Sequence, residues 1–153
     1  MTGANIISRF YGMDLSVSLF LRNVSSMVNG GDRFLRFTIP YNLFCNISNW
    51  SNMFLNCKSL RYARIAPGVM KQNDTFSMGS MFENCENLEY SNVCIPSYSF
   101  YSSSKMYKNC VSLNVNIKTL LPQNGFSQHL IDLSQMFLNC GKLYGIVPNL
   151  VLD

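Results

Sequence analysis

Four of the six cysteines in this 153-residue sequence have a type and a spacing that could support chemistry. The intervals between Cys57, Cys85, Cys110 and Cys140 are 28, 25 and 30. A zinc site would need closely spaced pairs such as C-x2-C, which these intervals do not provide. Disulfide bonds would need an oxidising compartment, and the absence of a secretory signal argues against one. We therefore expect reduced, buried thiols that pack in a column, because cysteine behaves as a small apolar side chain.

Other groups that could catalyse a reaction are few and scattered. A cysteine nucleophile needs a histidine beside it and a third group to orient that histidine. The single histidine, His129, is predicted to lie in a long loop, and the eight acidic residues show no obvious pairing. No glycine-rich phosphate-binding loop is present. We expect a protein that is not an enzyme, without catalytic residues, cofactor or metal.

The cysteines belong to a short motif that the chain repeats. The intervals between its methionines are 26, 28, 25 and 30, and one of the five prolines follows each copy before the next begins. Repeats of this length usually form one supersecondary unit each. The sequence therefore predicts about five repeats of roughly 25–30 residues. The full copies are SNMFLNCKSL at 51–60, GSMFENCENL at 79–88, SKMYKNCVSL at 104–113 and SQMFLNCGKL at 134–143, and a degenerate copy, SSMVNGGDRF, occupies 25–34.

Each repeat is predicted to contain one short helical turn and one strand. The motif methionine, cysteine and leucine fall at i, i+4 and i+7, one face of a helix, and a serine precedes them at the N-cap position in four of the five copies. Between the leucine and the proline the apolar residues alternate as in a strand. Such units cannot bury an apolar face alone, so they must stack with their strands in parallel. The predicted strands lie near 35–39, 61–66, 89–95, 114–120 and 144–147, with Asn116 and Lys118 departing from the pattern in the fourth.

These repeats resemble the BspA-like leucine-rich repeats of bacterial surface proteins, whose units read roughly M/A-F-x-x-C-x-x-L-x-x-I-x-I-P. The resemblance covers residues 25–148, which is 124 of the 153 residues. It implies an α/β fold, a right-handed leucine-rich-repeat solenoid with a parallel sheet and short helical turns over residues 25–153. Repeats of this kind occur in surface adhesins and in phage-encoded proteins of gut bacteria. The resemblance therefore implies a non-enzymatic protein-interaction module.

The amino-acid composition indicates which class of partner the protein binds. Only 13% of the residues are charged, about half the roughly 25% typical of soluble domains, whereas 18 Asn and 19 Ser supply neutral polar groups. Such a surface suits hydrogen bonding to sugars or to another protein. The net charge is +4, and a modest basic patch is predicted on the first two strands. It lacks the dense stripe of cations that phosphate binding needs, so we expect no nucleic-acid partner. The patch residues are Arg33, Arg36, Lys58, Arg61 and Arg64.

The N-terminal residues suggest where the protein works. They contain no basic segment followed by an apolar run, and no stretch approaches the roughly 18 apolar residues of a membrane-spanning helix. We expect no membrane insertion and a location in a bacteriophage particle, with the bacterial surface or the cytoplasm as alternatives. Residues 13–21 alternate strictly and predict a strand. Residues 1–24 are therefore either a capping strand over the first repeat or an arm that docks on another subunit.

Partner contacts are predicted at two places. Insertions after each proline map to one side of a repeat array, often its binding side, and Trp50 and Tyr101 are the candidates there for exposed contacts. No polar cap follows the last repeat, so Leu150, Val151 and Leu152 are predicted to pack against a second polypeptide, with folding back over the last repeat as the alternative. We expect other protein subunits in an oligomer or larger assembly, and a host-surface protein or glycan as a possible ligand. The predicted function is a structural or receptor-facing virion component; a bacterial adhesion or ligand-binding protein is the alternative.

Overall fold

Residues 36–39, 49–65, 76–94, 100–121 and 132–147 are described in the structure, which is a computed structural model. Five short strands and one 3-10 helix lie in these ranges. The segment predicted as cap or arm, 1–24, lies outside them. The degenerate motif copy, His129 and the predicted contacts Leu150, Val151 and Leu152 also lie outside the described residues. No helix of the described part is long and apolar enough to cross a membrane.

Three strands form a parallel sheet in the order β1, β2, β4. They are β1 Arg36–Ile39, β2 Tyr62–Ile65 and β4 Tyr90–Ser91. Arg36 pairs with Tyr62, which pairs with Tyr90, so the strands are in the register of the repeat. The parallel pairing predicted from the repeats is confirmed for these strands, although β4 is shorter than the predicted 89–95.

A second parallel pair of strands was not predicted. It comprises β3 Phe76–Ser77 and β5 Phe100–Ser102, and an isolated parallel bridge joins Asn49 to Ser77. These strands immediately precede the motif copies. Along the chain, each of the motif copies at 51–60 and 79–88 is therefore preceded by one strand position and followed by another.

The motif copies are turns, and the helical turn predicted for them is wrong. The backbone N–H groups of Met53 and Cys57 donate to the carbonyl oxygens three residues earlier, at 3.2 and 3.1 Å. Asn52 and Asn56 have φ angles of 57° and 61°, in the left-handed region that no right-handed helix contains. A positive φ at the third residue of a four-residue turn is the mark of type II. The same turns recur in all four full copies, hereafter the first to fourth motif turns (51–60, 79–88, 104–113 and 134–143).

Backbone hydrogen bonds join each motif turn to the next. Asn52, Phe54 and Asn56 of the first turn donate their N–H groups to carbonyl oxygens of the second turn, each at 2.9 Å. Three bonds of 2.8 to 2.9 Å join the second turn to the third, and three of 2.8 to 3.0 Å join the third to the fourth. The N–H groups that a helix would use internally therefore serve the contact between repeats.

The core consists of columns of equivalent side chains. Met53, Phe54, Cys57 and Leu60 of the first motif turn are fully buried. Their equivalents in the second and third turns are also fully buried, and Cys140 of the fourth is 8% exposed. The aromatic rings stack with centroids 5.3, 5.2 and 6.0 Å apart and planes within 12° of parallel. The burial predicted for the cysteine column is confirmed.

The fourth predicted strand is largely replaced by a 3-10 helix, Ile117–Thr119. Only Asn116 pairs as in a sheet, in an isolated parallel bridge with Tyr144. Its side-chain oxygen then accepts a hydrogen bond from the N–H of Lys118 at 3.0 Å and caps the helix. An asparagine offers the backbone this local alternative to a strand ladder, which explains the departure at 116 and 118. The fifth predicted strand, 144–147, is reduced to the bridge at Tyr144.

Candidate functional site

The outer face of the three-stranded sheet brings arginine and tyrosine side chains together. Side chains alternate between the two faces of a strand. Phe37, Ala63 and Ser91 point inward and are buried, so the neighbouring residues of each strand point outward. The outward residues are Arg36, Tyr62, Arg64 and Tyr90, which we call the Arg–Tyr face.

Each tyrosine of the Arg–Tyr face lies under a guanidinium group. The guanidinium carbon of Arg36 is 4.6 Å from the centre of the Tyr62 ring, and that of Arg64 is 5.9 Å from the centre of the Tyr90 ring. Cation–π contacts at exposed sites contribute about 0.5–1 kcal/mol each, which favours arginine conformations that lie against the sheet. Both arginines remain exposed and both tyrosines are half-buried. Arg36 and Arg64 therefore contact the tyrosine rings and remain open to solvent.

One carboxylate lies at the edge of this face and is already paired. Glu89 accepts a hydrogen bond from the hydroxyl of Tyr62 at 3.0 Å and forms an ion pair with Arg61 at 3.1 Å. Arg36 and Arg64 form no ion pair with any carboxylate of the described residues. The Arg–Tyr face carries two arginines, and the paired Arg61 and Glu89 at its edge cancel each other, so the net charge is 2 + 1 − 1 = +2. Because no carboxylate of the described residues pairs with Arg36 or Arg64, both of their guanidinium groups can bind an anionic ligand.

The two guanidinium groups lie over neighbouring residues of the sheet. The Arg36 group is over Tyr62 and the Arg64 group is over Tyr90, and these two tyrosines are paired in register. Adjacent strands are about 4.8 Å apart. Guanidinium groups bind carboxylates in bidentate geometry. The Arg–Tyr face can therefore bind two anionic groups of one ligand, or one anionic group between both arginines.

Burial shifts the thiols of the cysteine column away from nucleophilic chemistry. Burial raises the pKa values of Cys85 and Cys110 well above the usual value, with a further contribution from neighbouring thiols, and raises that of Cys140 to about 11. A nucleophilic thiol needs the opposite shift. These thiols instead donate to carbonyl oxygens of the preceding motif turn, as Cys85 does to Phe54 at 3.0 Å and Cys110 to Phe82 at 3.1 Å. In the described part of the chain, no three His, Cys, Asp or Glu side chains are grouped to hold a metal ion.

Two of the residues predicted as partner contacts, Trp50 and Tyr101, lie within the described part of the chain. Trp50 is fully buried beneath the first motif turn, so the prediction of an exposed contact there is wrong. A large aromatic at that position fills the space that Met78 and Leu133 fill in other repeats. Tyr101 lies in strand β5, and its predicted contact stays a prediction.

The basic patch that the sequence indicated is present in part, but two tyrosines were missed. Arg36, Arg61 and Arg64 lie on or beside the same face of the sheet. Tyr62 and Tyr90 each follow their motif leucine by two positions, the same offset by which Arg36 follows Phe34. Alignment of the repeats would have placed all three in one row.

A scan against protein-family models, a search of curated proteins and a search of solved structures each found no match for this chain.

Proposed function

We propose that the protein is a leucine-rich-repeat solenoid of the BspA-like kind that works as a non-enzymatic interaction module, a structural or receptor-facing component of a bacteriophage particle. The equal backbone contacts between successive motif turns and the parallel sheet support the solenoid. Its binding surface is the Arg–Tyr face. Further support comes from the cysteine column, whose raised thiol pKa values make it a poor source of nucleophiles.

The observation that carries this proposal is the pair of guanidinium groups held over tyrosine rings without a carboxylate partner among the described residues. Three strands at about 4.8 Å spacing and four residues at about 3.3 Å give a face of roughly 10 by 13 Å. Stable protein interfaces cover about 800 Å² per partner, several times this area. A short stretch of an acidic polysaccharide fits the face better, with carboxylates on the arginines and a sugar hydroxyl on Thr38, which is exposed and lies two residues after Arg36 in β1. We therefore propose an acidic surface glycan as the ligand.

Titration with an oligogalacturonate, which has a carboxylate on every sugar, tests the ligand class. We expect binding by isothermal titration calorimetry at low ionic strength that weakens as salt is added, because exposed charges are screened. The double variant Arg36→Gln with Arg64→Gln should bind at least tenfold more weakly, since a hydrogen bond to a charged group contributes about 1.5–3 kcal/mol.

The double variant Lys118→Gln with Lys142→Gln is the matched control, because both residues are exposed cations outside the Arg–Tyr face. It also removes two positive charges, without touching the face, and should leave the affinity within twofold. Equal binding of a neutral oligogalactose, equal loss in the control, or preference for a poly-glutamate peptide would each defeat the glycan assignment.

The proposed location of the protein in a phage particle needs a separate experiment. Mass spectrometry of density-purified phage particles should detect the chain at a fixed ratio to the major capsid protein. The alternative, a bacterial adhesion or ligand-binding protein, would instead place the chain in the cell-surface fraction of bacteria that carry no particles. Absence from purified particles would exclude the virion assignment.

A further inference from the structure

The backbone hydrogen bonds between motif turns all have the same direction. In each of the first three turns, the residues one before, one after and three after the methionine donate their backbone N–H groups to the following turn. In the third turn these donors are Lys105, Tyr107 and Asn109, at 2.8 to 3.0 Å from their acceptors. Each of these turns therefore presents donors on the side of the next repeat.

The fourth motif turn presents the same donors with no acceptor among the described residues. Its equivalent residues are Gln135, Phe137 and Asn139, and their backbone N–H groups form no hydrogen bond within the described part of the chain. Asn139 also uses only half of its amide there: the Nδ2 group donates to Asn109 at 2.7 Å, while its Oδ1 accepts no hydrogen bond from a described residue. We call the three N–H groups the open donor row, and the Oδ1 of Asn139 is an open acceptor of the same turn.

An apolar groove lies beside the open donor row. Its volume is about 360 Å³. Leu138 and Val147 of its lining are 45% and 51% exposed, and the adjacent Ile146 is 78% exposed. Exposed apolar side chains beside an unpaired backbone edge favour the addition of another chain. The lining consists of Ile117, Leu121, Leu133, Gln135, Met136, Phe137, Leu138 and Val147.

We propose that the open donor row and its groove bind one more motif turn, supplied by another polypeptide that carries the same motif. Such a segment matches each open group, because the three existing contacts between turns show what the next turn contributes. It would bring carbonyl oxygens to the three N–H groups, an asparagine Nδ2 to the Oδ1 of Asn139, and an aromatic ring to stack on Phe137. The groove would receive its apolar side chains. The added segment would extend the column of motif turns in the geometry that the chain already uses internally, as an added strand extends a sheet in β-augmentation.

The polarity of the row and the burial of the described motif turns favour a different polypeptide over a second copy of this chain. Two copies that met through their fourth turns would place backbone donors against backbone donors. The acceptor side of the first motif turn is closed to a head-to-tail copy, because Met53 is fully buried. We therefore assign the row to a different polypeptide with an accessible motif, and binding of a second copy is an outcome that the experiment below distinguishes. The proposal is independent of the glycan assignment, which concerns the sheet of the earlier repeats.

Residue-resolved amide hydrogen exchange tests the proposal on the whole chain. In dilute protein, the amides of Gln135, Phe137 and Asn139 should exchange at least a hundredfold faster than those of Lys105, Tyr107 and Asn109. A synthetic peptide with the sequence of residues 79–88 should slow the three fast amides at least tenfold. A scrambled peptide of the same composition should leave them unchanged.

Two variants identify the groove as the site. Leu138→Glu places a carboxylate at an exposed lining position and should abolish the protection by the peptide. Val111→Glu is the matched control, because Val111 is equally exposed, 46% against 45%, but lies outside the groove lining. Slow exchange already present in dilute free protein would show that the chain covers its own row and would overturn the proposal. Protection that rises with protein concentration alone, or fast amides unaffected by the peptide, would overturn it as well.

Discussion

The asparagine three residues after each motif methionine serves both the backbone and the stack. Asn56, Asn84, Asn109 and Asn139 have φ angles of 61° to 63°, and asparagine tolerates this left-handed region better than most residues. Their amides form a continuous ladder, with Nδ2 to Oδ1 distances of 2.8, 2.7 and 2.7 Å. One residue type therefore fixes the turn and links it to its neighbours.

Replacement of Asn109 separates these two contributions. Asn109→Ala should lower the free energy of unfolding by about 2 kcal/mol, because it removes two side-chain hydrogen bonds and introduces a residue that disfavours positive φ. Asn109→Gly loses the same bonds but accepts the backbone angle, so the loss should be about 1 kcal/mol. Urea unfolding measures both. Equal losses in the two variants would contradict the role of the backbone angle.

Ser103 is a residue whose hydroxyl weakens the core. It is fully buried, and its Oγ has no hydrogen-bond partner in the described part of the chain. Trp50, Met78 and Leu133 occupy the equivalent position in the other motif turns. Ser103→Ala should raise the free energy of unfolding by about 1 kcal/mol, because a buried unsatisfied hydroxyl is removed. The control is Ser91→Ala, whose buried hydroxyl bonds to Tyr107 at 2.8 Å and whose loss should destabilise the protein. Unchanged or lower stability of Ser103→Ala would disprove this assignment.

A buried tyrosine joins strand β4 to the motif turn of the next repeat. The Tyr107 hydroxyl donates to the carbonyl oxygen of Val93 at 2.6 Å and contacts the hydroxyl of Ser91 in β4 at 2.8 Å. Phenylalanine occupies this column in the other full motif turns. The polar contact therefore ties the third motif turn to the end of β4.

Tyr107→Phe should lower the free energy of unfolding by about 1–3 kcal/mol, because Ser91 and Val93 lose a partner in a buried site. The double variant with Ser91→Ala should lose less than the sum of the single changes, since the two hydroxyls contact each other. Tyr62→Phe is the control: its hydroxyl bonds to Glu89 at the half-exposed sheet face, and the change should have a smaller effect. Additive losses in the double variant would show that the two hydroxyls do not act together.

At the scale of the whole molecule, the described repeats stack with few charges at their contacts. The three ion pairs among the described residues lie between neighbouring repeats at distances of 3.2, 3.1 and 3.5 Å, and the pair of Lys108 with Glu83 is the least exposed. Pairs as exposed as the other two contribute little. Stability must come mainly from the buried columns and the backbone bonds between turns. The thiols and the Tyr107 hydroxyl inside those columns must stay neutral.

This neutrality predicts a loss of stability at high pH. Burial raises the pKa of Cys140 from the usual 9.0 to about 11. The unfolded thiol ionises from about pH 9, whereas the folded one keeps its proton, so the stabilisation is complete below pH 9 and is lost as the pH rises toward and through 11. The raised pKa values of Cys85, Cys110 and Tyr107 act in the same direction.

Urea unfolding at pH 8 and pH 10 measures this loss. Cys140→Ser keeps a hydrogen-bond donor but does not ionise in this range, so its stability should fall less between the two pH values. The difference from the unmodified protein should be on the order of 1 kcal/mol. An equal fall in both proteins would mean that Cys140 does not contribute.

The repeat length, the residues that face the core and the parallel strands β1 and β2 could be predicted from the sequence. These features depend on residue types that recur at a regular interval, and burial selects the same apolar positions in every repeat. The helical turn could not be excluded in this way, because Met53, Cys57 and Leu60 at i, i+4 and i+7 suit a helix and a series of turns equally. The choice depended on where the N–H groups of residues 52, 54 and 56 find acceptors, and these lie in the next repeat.

The sequence by itself determined the repeated motif, the positions that form the buried cysteine column and an Asn- and Ser-rich composition. Only the tertiary structure decided which side chains meet on the outside. Arg36 lies over Tyr62, and Arg64 over Tyr90, because the strands of successive repeats pair in one register. The burial of Trp50 and the open donors of the fourth turn also depend on which repeat lies next to them. Such contacts between distant residues follow from the stacking geometry, which no local pattern contains.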